Sequence, residues 1–301
     1  MESKLNQRVP NLRPSEFDDY IFENWKPDVS PFYEKFHIER IENYKEHLKI
    51  PLLPHRRSVY FFLFVTKGEA VRSKGLTEYI IRKNSFFCLP ANQITSLSKI
   101  SRDVEGFYCH FLPDIFNHPF LNKDLCEEFD FFRISGNPLT GIELPELFLQ
   151  LLQKLESEYR NAESSRFEVI PLYLAALFKE IDLQHSSALK ETSNAASLIV
   201  TRYKDLLVAK IEEIDSVNQA AEKLRISPNH LNKSVKAVTG KTAQHFLDEM
   251  RILEAKVLLK QTRMPVAEIA AKLGKTDPSS FSRFFKKKTE NTPLEYRNKE
   301  D

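Results

Sequence analysis

VAEIAAKLGKTDPSSFSRFFKKKTENTPLEYR, residues 266–297, sets three phenylalanines beside a run of three lysines and closes on a Thr-Pro turn and an arginine. Helical spacing sorts these residues. Phe281 and Phe285 lie four positions apart, with Phe284 beside them, and take the inner face of a helix that Asp277-Pro278 opens. Ser279, Ser280, Arg283, Lys286 and Lys287 are left for the outer face. Just upstream, Val266, Ile269, Ala270 and Leu273 make a short helix whose small residues let another helix cross it closely. A solvated lysine face on an ordinary amphipathic helix accounts for this stretch taken alone. It does not account for the repeat: Val217, Ala220, Ala221 and Leu224, a tight connection and Ser227-Pro228 follow the same plan about fifty residues earlier. In such a helix-turn-helix the capped helix start, with its positive dipole end and first-turn side chains, faces out of the fold toward phosphates and base edges.

Composition sets the limits around this unit. The chain has 301 residues, 42% hydrophobic and 29% charged, with 23 Phe and 7 Gly, which is globular and long enough for two ordinary domains. No apolar run approaches the roughly 18 residues of a membrane span, and MESKLNQRVP lacks the apolar core of a signal peptide, so a cytoplasmic protein with no membrane partner is expected. Cys88, Cys109 and Cys126 are odd in number and not spaced as CxxC, which suggests reduced thiols and neither a disulfide frame nor a zinc site. The net charge of +2 is unevenly placed: from Glu191 onward 20 Lys+Arg face 15 Asp+Glu, and the totals of 44 and 42 leave 24 against 27 before it. A basic C-terminal third suits a polyanion partner. The excess is too modest for a general architectural DNA binder.

Residues 57–112 read as short strands. RSVYFFLFVT, GLTEYIIR, NSFFCLP, QITSLSKI and DVEGFYCHFLP are aromatic and β-branched and are separated by Lys67-Gly68, Lys74-Gly75 and Lys83-Asn84, as in a sandwich or barrel. After Pro145 the period changes. Leu147, Leu151 and Leu155 recur at i+4, and Ile170, Leu174, Leu177 and Ile181 at i, i+4, i+7 and i+11, so two amphipathic helices are expected within 145–184. Their stripes pack either on their own β-domain or on a second subunit, with Leu174 and Ile181 as candidates for the seam. HSSALKETSN, 185–194, is the expected linker between a domain at 1–190 and one at 191–301.

The C-terminal residues 195–297 resemble the DNA-binding domain of the AraC/XylS family of bacterial transcription regulators. The resemblance runs through ISPNHLNKSVKAVTGKT (226–242), RILEAKVLL (251–259) and 266–297, about a third of the chain. It implies two helix-turn-helices bridged by a helix over 242–260, with both recognition helices in successive major grooves of double-stranded promoter DNA. By that resemblance Asn229, Asn232 and Lys233 read bases from the first unit, and Ser279 and Arg283 from the second, where Pro278 occupies a further such position without a polar side chain. Lys236, Ser280, Lys286 and Lys287 complete the expected DNA-facing set. The chemistry agrees, since asparagine pairs bidentately with adenine and arginine or lysine with guanine O6 and N7. The chain departs from the family's Phe at Val235 and Lys275 and, on this alignment, from its Gly at Asn291, where asparagine tolerates a left-handed backbone.

For the N-terminal half the resemblance implies a cupin-like β-barrel that binds a small-molecule effector or dimerises. The expected fold class is therefore two-domain α+β: a cupin-like barrel with packed helices, then an all-α double helix-turn-helix. Alternation in GFYCHF puts Tyr108 and His110 on one face, where His110 would line a pocket, and Phe107, Cys109 and Phe111 on the other. The close His-x-His pair of a metal-dependent cupin is missing, since His55, His110 and His118 stand apart. A regulator without catalytic residues, metal or cofactor is expected, with RNA polymerase and a second copy of the chain as further partners. The alternative is a cupin-type small-molecule enzyme carrying an accessory DNA-binding domain.

Overall fold

A run of alternating large apolar side chains, YFFLFV, forms strand β3 (Tyr60–Lys67) and is buried on both faces, as an unbroken hydrophobic run requires. Tyr60, Phe62 and Phe64 join one core cluster and Phe61, Leu63 and Val65 another. The computed structural model describes residues 11–23, 25–26, 30–117, 124–134, 136–161, 167–188, 195–275 and 277–299. Two units divide it, Asn11–Glu191 and Thr192–Asp301.

In the first unit, helix α1 (Pro14–Ile21) precedes β1 (Phe36–Arg40), α2 (Ile41–Tyr44) and β2 (Leu52–His55). Then follow β3, β4 (Glu69–Lys74), β5 (Thr77–Arg82), β6 (Ser85–Leu89), β7 (Thr95–Ile100) and β8 (Glu105–Phe111). Beyond them lie α3 (Leu125–Glu128) and β9 (Leu139–Gly141), which pairs with β6. All strand pairings are antiparallel and build two sheets, ordered β1-β8-β3-β6-β9 and β2-β7-β4-β5. Among the described residues no ladder closes the two sheets into one barrel; the cupin-like expectation reduces here to a two-sheet, β-rich unit.

Five of these strands, β3 and β5 to β8, fall on the segments expected from the sequence, and β1, β2, β4 and β9 are additional. β4, EAVRSK, looked like turn material because its inward positions are cationic: Ala70, Arg72 and Lys74 are all buried. Lys74 Nζ is paired there by the carbonyls of Arg133 and Gly136 at 2.6 and 2.7 Å.

Helices α4 (Pro145–Arg160) and α5 (Ile170–Ala188) cover the outer face of the five-stranded sheet. Phe178 packs against Phe62, Phe111 and Phe132, and Phe148 against Phe86. Ile170, Leu174, Leu177 and Ile181 are all at most 1% exposed and lie in this cluster, so Leu174 and Ile181 are core residues and not a subunit seam. On α4 the buried stripe is Phe148, Leu152, Leu155 and Tyr159; Leu147, expected on the inner face, is 44% exposed. The sheet rotates the helix by one position relative to the leucine periodicity because the larger Phe148 and Tyr159 bury more apolar area. Cys88 and Cys109 are buried and Cys126 is half-buried, all as free thiols. Of the expected linker, 185–194, the first four residues continue α5 to Ala188 rather than leave the helix, and 189–194 lie outside the described residues, as does His118.

The second unit is helical: α6 (Ala195–Lys210), α7 (Val217–Lys223), α8 (Pro228–Thr239), α9 (Ala243–Gln261), α10 (Val266–Lys272), α11 (Pro278–Thr289) and α12 (Pro293–Asn298). The long α9 is buried on most sides, including Phe246, Met250, Leu253, Val257 and Leu258. Its Arg251, 2% exposed, donates through Nη2 to the carbonyls of Ile214 and Asp215 at 3.0 and 2.9 Å. Tyr203 Oη on α6 donates to the Ala243 carbonyl at 3.0 Å. Phe281 and Phe285 face inward, 1% and 0% exposed, with Tyr296 of α12 edge-on to Phe285 at 5.6 Å. Among the described residues no helix is long and apolar enough to cross a membrane.

Candidate functional site

The pairs α7/α8 and α10/α11 are built alike down to the backbone. Each first helix ends through one left-handed residue, Arg225 at φ +58° and Gly274 at φ +69°. Each then bonds back, Ile226 N–H to the Ala221 carbonyl at 3.0 Å and Lys275 N–H to the Ala270 carbonyl at 2.9 Å. The second helices start on side-chain caps followed by proline. Ser227 Oγ accepts the His230 N–H at 3.2 Å, and the Asp277 carboxylate accepts those of Ser279 and Ser280 at 3.1 and 2.8 Å. The Ser280 hydroxyl and these two backbone donors hold the Asp277 carboxyl below its ordinary value. One difference separates the first helices: Ala221 is buried, whereas Ala271 is exposed.

Asn229, Asn232, Lys233 and Lys236 on α8, and Ser279, Ser280, Arg283, Lys286 and Lys287 on α11, are all exposed. Arg283 Nη2 donates to Ser280 Oγ at 3.3 Å, which lays the guanidinium along the start of its helix. Asn232 has an internal contact as well. Its Oδ1 accepts the Ala243 N–H at 3.0 Å and so ties α8 to the first turn of α9. Lys275 stands 5.1 Å from the Phe284 ring centroid, where its stem and charge cover the aromatic face.

The left-handed residue that ends α11 is Glu290 at φ +65°, in the place that Gly240, φ +71°, takes after α8. Asn291, expected to hold that backbone, instead donates its side-chain amide to the Thr289 carbonyl at 3.0 Å.

A cavity lies between the two sheets of the first unit, with about 690 Å³ of non-atom space, its open mouth included. Its walls are mainly apolar: Ile21, Phe22 and Trp25 from the N-terminal segment, Leu63 and Val65 of β3, and Leu97 and Ile100 of β7. Six polar side chains are among the lining residues, Tyr33, His37, Tyr44, Arg57, Arg72 and Tyr108. Arg57 Nη1 donates to Tyr108 Oη at 3.0 Å, whose hydroxyl lies 3.1 Å from His110 Nδ1, and His110 Nε2 donates to the Tyr33 carbonyl at 2.8 Å. Tyr108 thus lines the cavity, while His110 stands behind it and does not. His37, also in the wall, has Nδ1 2.8 Å from Tyr159 Oη on α4. Burial pushes the His37 imidazole down to about 3 and those of His55 and His110 well below their ordinary value. All three are therefore neutral near pH 7. Among the described residues no group of three or more His, Cys, Asp or Glu side chains is placed to hold a metal ion.

The helix-turn-helix domain family matches residues 220–299, which takes in α8 to α12 and the second half of α7. The ornithine utilization regulator of Pseudomonas aeruginosa is 35% identical over 114 residues, 38% of this chain and 33% of that protein. The transcriptional activator RhaS of Escherichia coli (strain SE11) is 27% identical over 190 residues, 60% and 64% of the two chains. The arabinose operon regulatory protein of Escherichia coli (strain K12) is 25% identical over 294 residues, 97% of this chain and 94% of its own length. Residues 220–299 are thus a helix-turn-helix domain, and the chain is similar to transcription regulators of the AraC type.

The expected DNA-facing positions all sit on the outward sides of the two second helices. The two cavity arginines were not found from the sequence. Arg72 lies in β4, one of the additional strands, and Arg57 precedes β3, which begins at Tyr60. A signal did exist in β4, where Ala70, Arg72 and Lys74 alternate with Val71 and Ser73 in the period-2 pattern of a strand with a cationic inner face.

Proposed function

We propose that this AraC-family regulator reads a specific promoter sequence with α8 and α11 and is controlled by a small effector held in the cavity of its N-terminal unit. One observation carries the reading of DNA: two capped helices of matching construction, each presenting an exposed polar and basic face from its first turn onward. Asn229, Lys233 and Arg283 make base contacts, with Ser279 and the outer part of Asn232 beside them. Lys236, Ser280, Lys286 and Lys287 meet phosphates, which position the protein without adding sequence information. The effector reading rests on the cavity, a largely apolar space with a few convergent polar groups.

The two-sheet unit is an open cupin-type barrel in this reading. The chain works in the bacterial cytoplasm as a homodimer that engages two repeated sites and RNA polymerase. The exposed residues Leu147 of α4 and Leu172 and Leu183 of α5, rather than the buried stripes, are the seam candidates. The similarity to transcription regulators supports a DNA-binding regulator over the enzyme alternative.

Genomic footprinting of the full-length protein tests this reading, together with titration of a recovered site against random DNA at one salt concentration. The reading expects a recurrent paired motif and at least a thousandfold preference for it. Equal affinity for random DNA would overturn it.

A further inference from the structure

Arg72 is 4% exposed on the inner face of β4, lines the cavity, and has Nη2 without a hydrogen-bond partner. Its Nε donates to Thr95 Oγ1 at 3.0 Å, which fixes the plane of the guanidinium. Its Cζ lies 4.7 Å from the centroid of Phe61. Arg57, itself 4% exposed, lies near enough to repel it, and its Cζ is 4.8 Å from the same ring. Burial first, and then the charge of Arg57, pull the Arg72 guanidinium down to about 9. A buried cation that keeps an unpaired N–H beside a second cation is strongly disfavoured unless an anion answers it. Among the described residues that line the cavity there is no aspartate or glutamate, and the other members are mostly aliphatic and aromatic. An unpartnered guanidinium N–H on a side chain that lines an apolar space is matched by a carboxylate on an apolar body.

We propose that the cavity takes a small monocarboxylic acid with an aliphatic or aromatic body, and that Arg72 pairs with its carboxylate while the sheet and the N-terminal segment enclose the rest. This rests on the reading of the cavity as an effector site. Tyr44 and Tyr108 lie near Arg72, Leu97 is its cross-strand partner, and Phe22 and Trp25 pack against Tyr44 to continue the apolar wall.

The test measures the melting temperature of the full-length protein against four probes of two shapes, octanoate with octanamide and 3-phenylpropionate with 3-phenylpropanamide, with acetate as the bare head group. At least one acid should raise the melting temperature in a saturable way, with its amide binding at least tenfold more weakly and acetate having no effect at the same ionic strength. The comparison of octanoate with 3-phenylpropionate tells an aliphatic body from an aromatic one. Arg72→Met should abolish the preference for acid over amide, and without ligand it should melt at or above the wild-type temperature, because an unanswered buried charge has been removed. Acid and amide binding equally well would overturn the carboxylate and leave the effector cavity standing. No response to any probe would overturn both. A lower melting temperature for unliganded Arg72→Met would show that the arginine holds the fold and overturn its role as a ligand group.

Discussion

Arg283 and Lys286 lie three residues apart on the outer side of α11, yet they are read as doing different work. Arg283 stands in the second turn of its helix beside Ser280, where the proposed reading gives its planar fork a base edge; Lys286 lies nearer the C-terminal end, where that reading puts a phosphate. Arg283→Ala should therefore weaken the cognate site by about 1–3 kcal/mol and relax preference at one base pair. Lys286→Ala should weaken all sequences alike and lower the salt slope by about one, as fluorescence titrations over a salt series would reveal. The same uniform loss in both variants would remove the distinction. Glu290 offers a test of stability at the same scale. It carries a side chain in a left-handed backbone where α8 has Gly240, so Glu290→Gly should stabilise the helical unit by about 1 kcal/mol in urea denaturation. A loss of stability would mean that the Glu290 side chain makes a compensating contact.

Among the elements, α4 and α5 show how burial decides between two readings of one stripe. Leu174 and Ile181 are fully buried against the five-stranded sheet, and Leu174→Glu should unfold the N-terminal unit, at a cost of about 4 kcal/mol or more. Leu147 and Leu183 are 44% and 59% exposed on the two helices. The double substitution Leu147→Glu with Leu183→Glu should leave the fold intact by circular dichroism. If these helices form the dimer seam, light scattering should then find a monomer with weaker binding to paired sites and undiminished binding to one. A folded dimer would place the seam elsewhere.

On the scale of the whole molecule, the two units are expected to respond differently to dissection and to acid. A fragment from Ser193 to Asp301 contains the caps of α7, α8, α9, α11 and α12 and the buried faces of all seven helices, and should fold and bind DNA by itself. An unstructured fragment by circular dichroism would refute that boundary. The first unit holds His37, His55 and His110, each driven by burial below the ordinary imidazole value. Protons bind these groups more readily in the unfolded chain, so stability is full above about pH 6.5 and falls as the pH drops below it, toward about 3 for His37. With all three taking up protons on unfolding, the slope reaches about 4 kcal/mol per pH unit. Urea midpoints of an isolated N-terminal fragment at pH 7.5 and 5.5 should differ accordingly. Equal midpoints would mean that these imidazoles titrate normally.

The amino-acid sequence alone determined the helical unit, because there the deciding signals are local. Ser227-Pro228 and Asp277-Pro278 start helices by capping their own first turns, and the four-residue spacing of Phe281 and Phe285 chooses a buried face without reference to distant parts of the chain. The aromatic strands β3, β6 and β8 were legible for the same reason, and so was the alternation that separates Tyr108 from Phe107 and Cys109. Tertiary structure alone decided what depends on partners far along the chain. The stripe of α5 could not say whether a sheet or another subunit covers it, since both bury the same apolar area. The left-handed turn at Glu290 emerged only from the backbone, because no glycine marks it. Arg72 reads as a surface residue in any window of its own strand; β7 and the loop that carries Arg57 fold around it, exclude water, and turn an exposed-looking cation into a buried one facing a cavity.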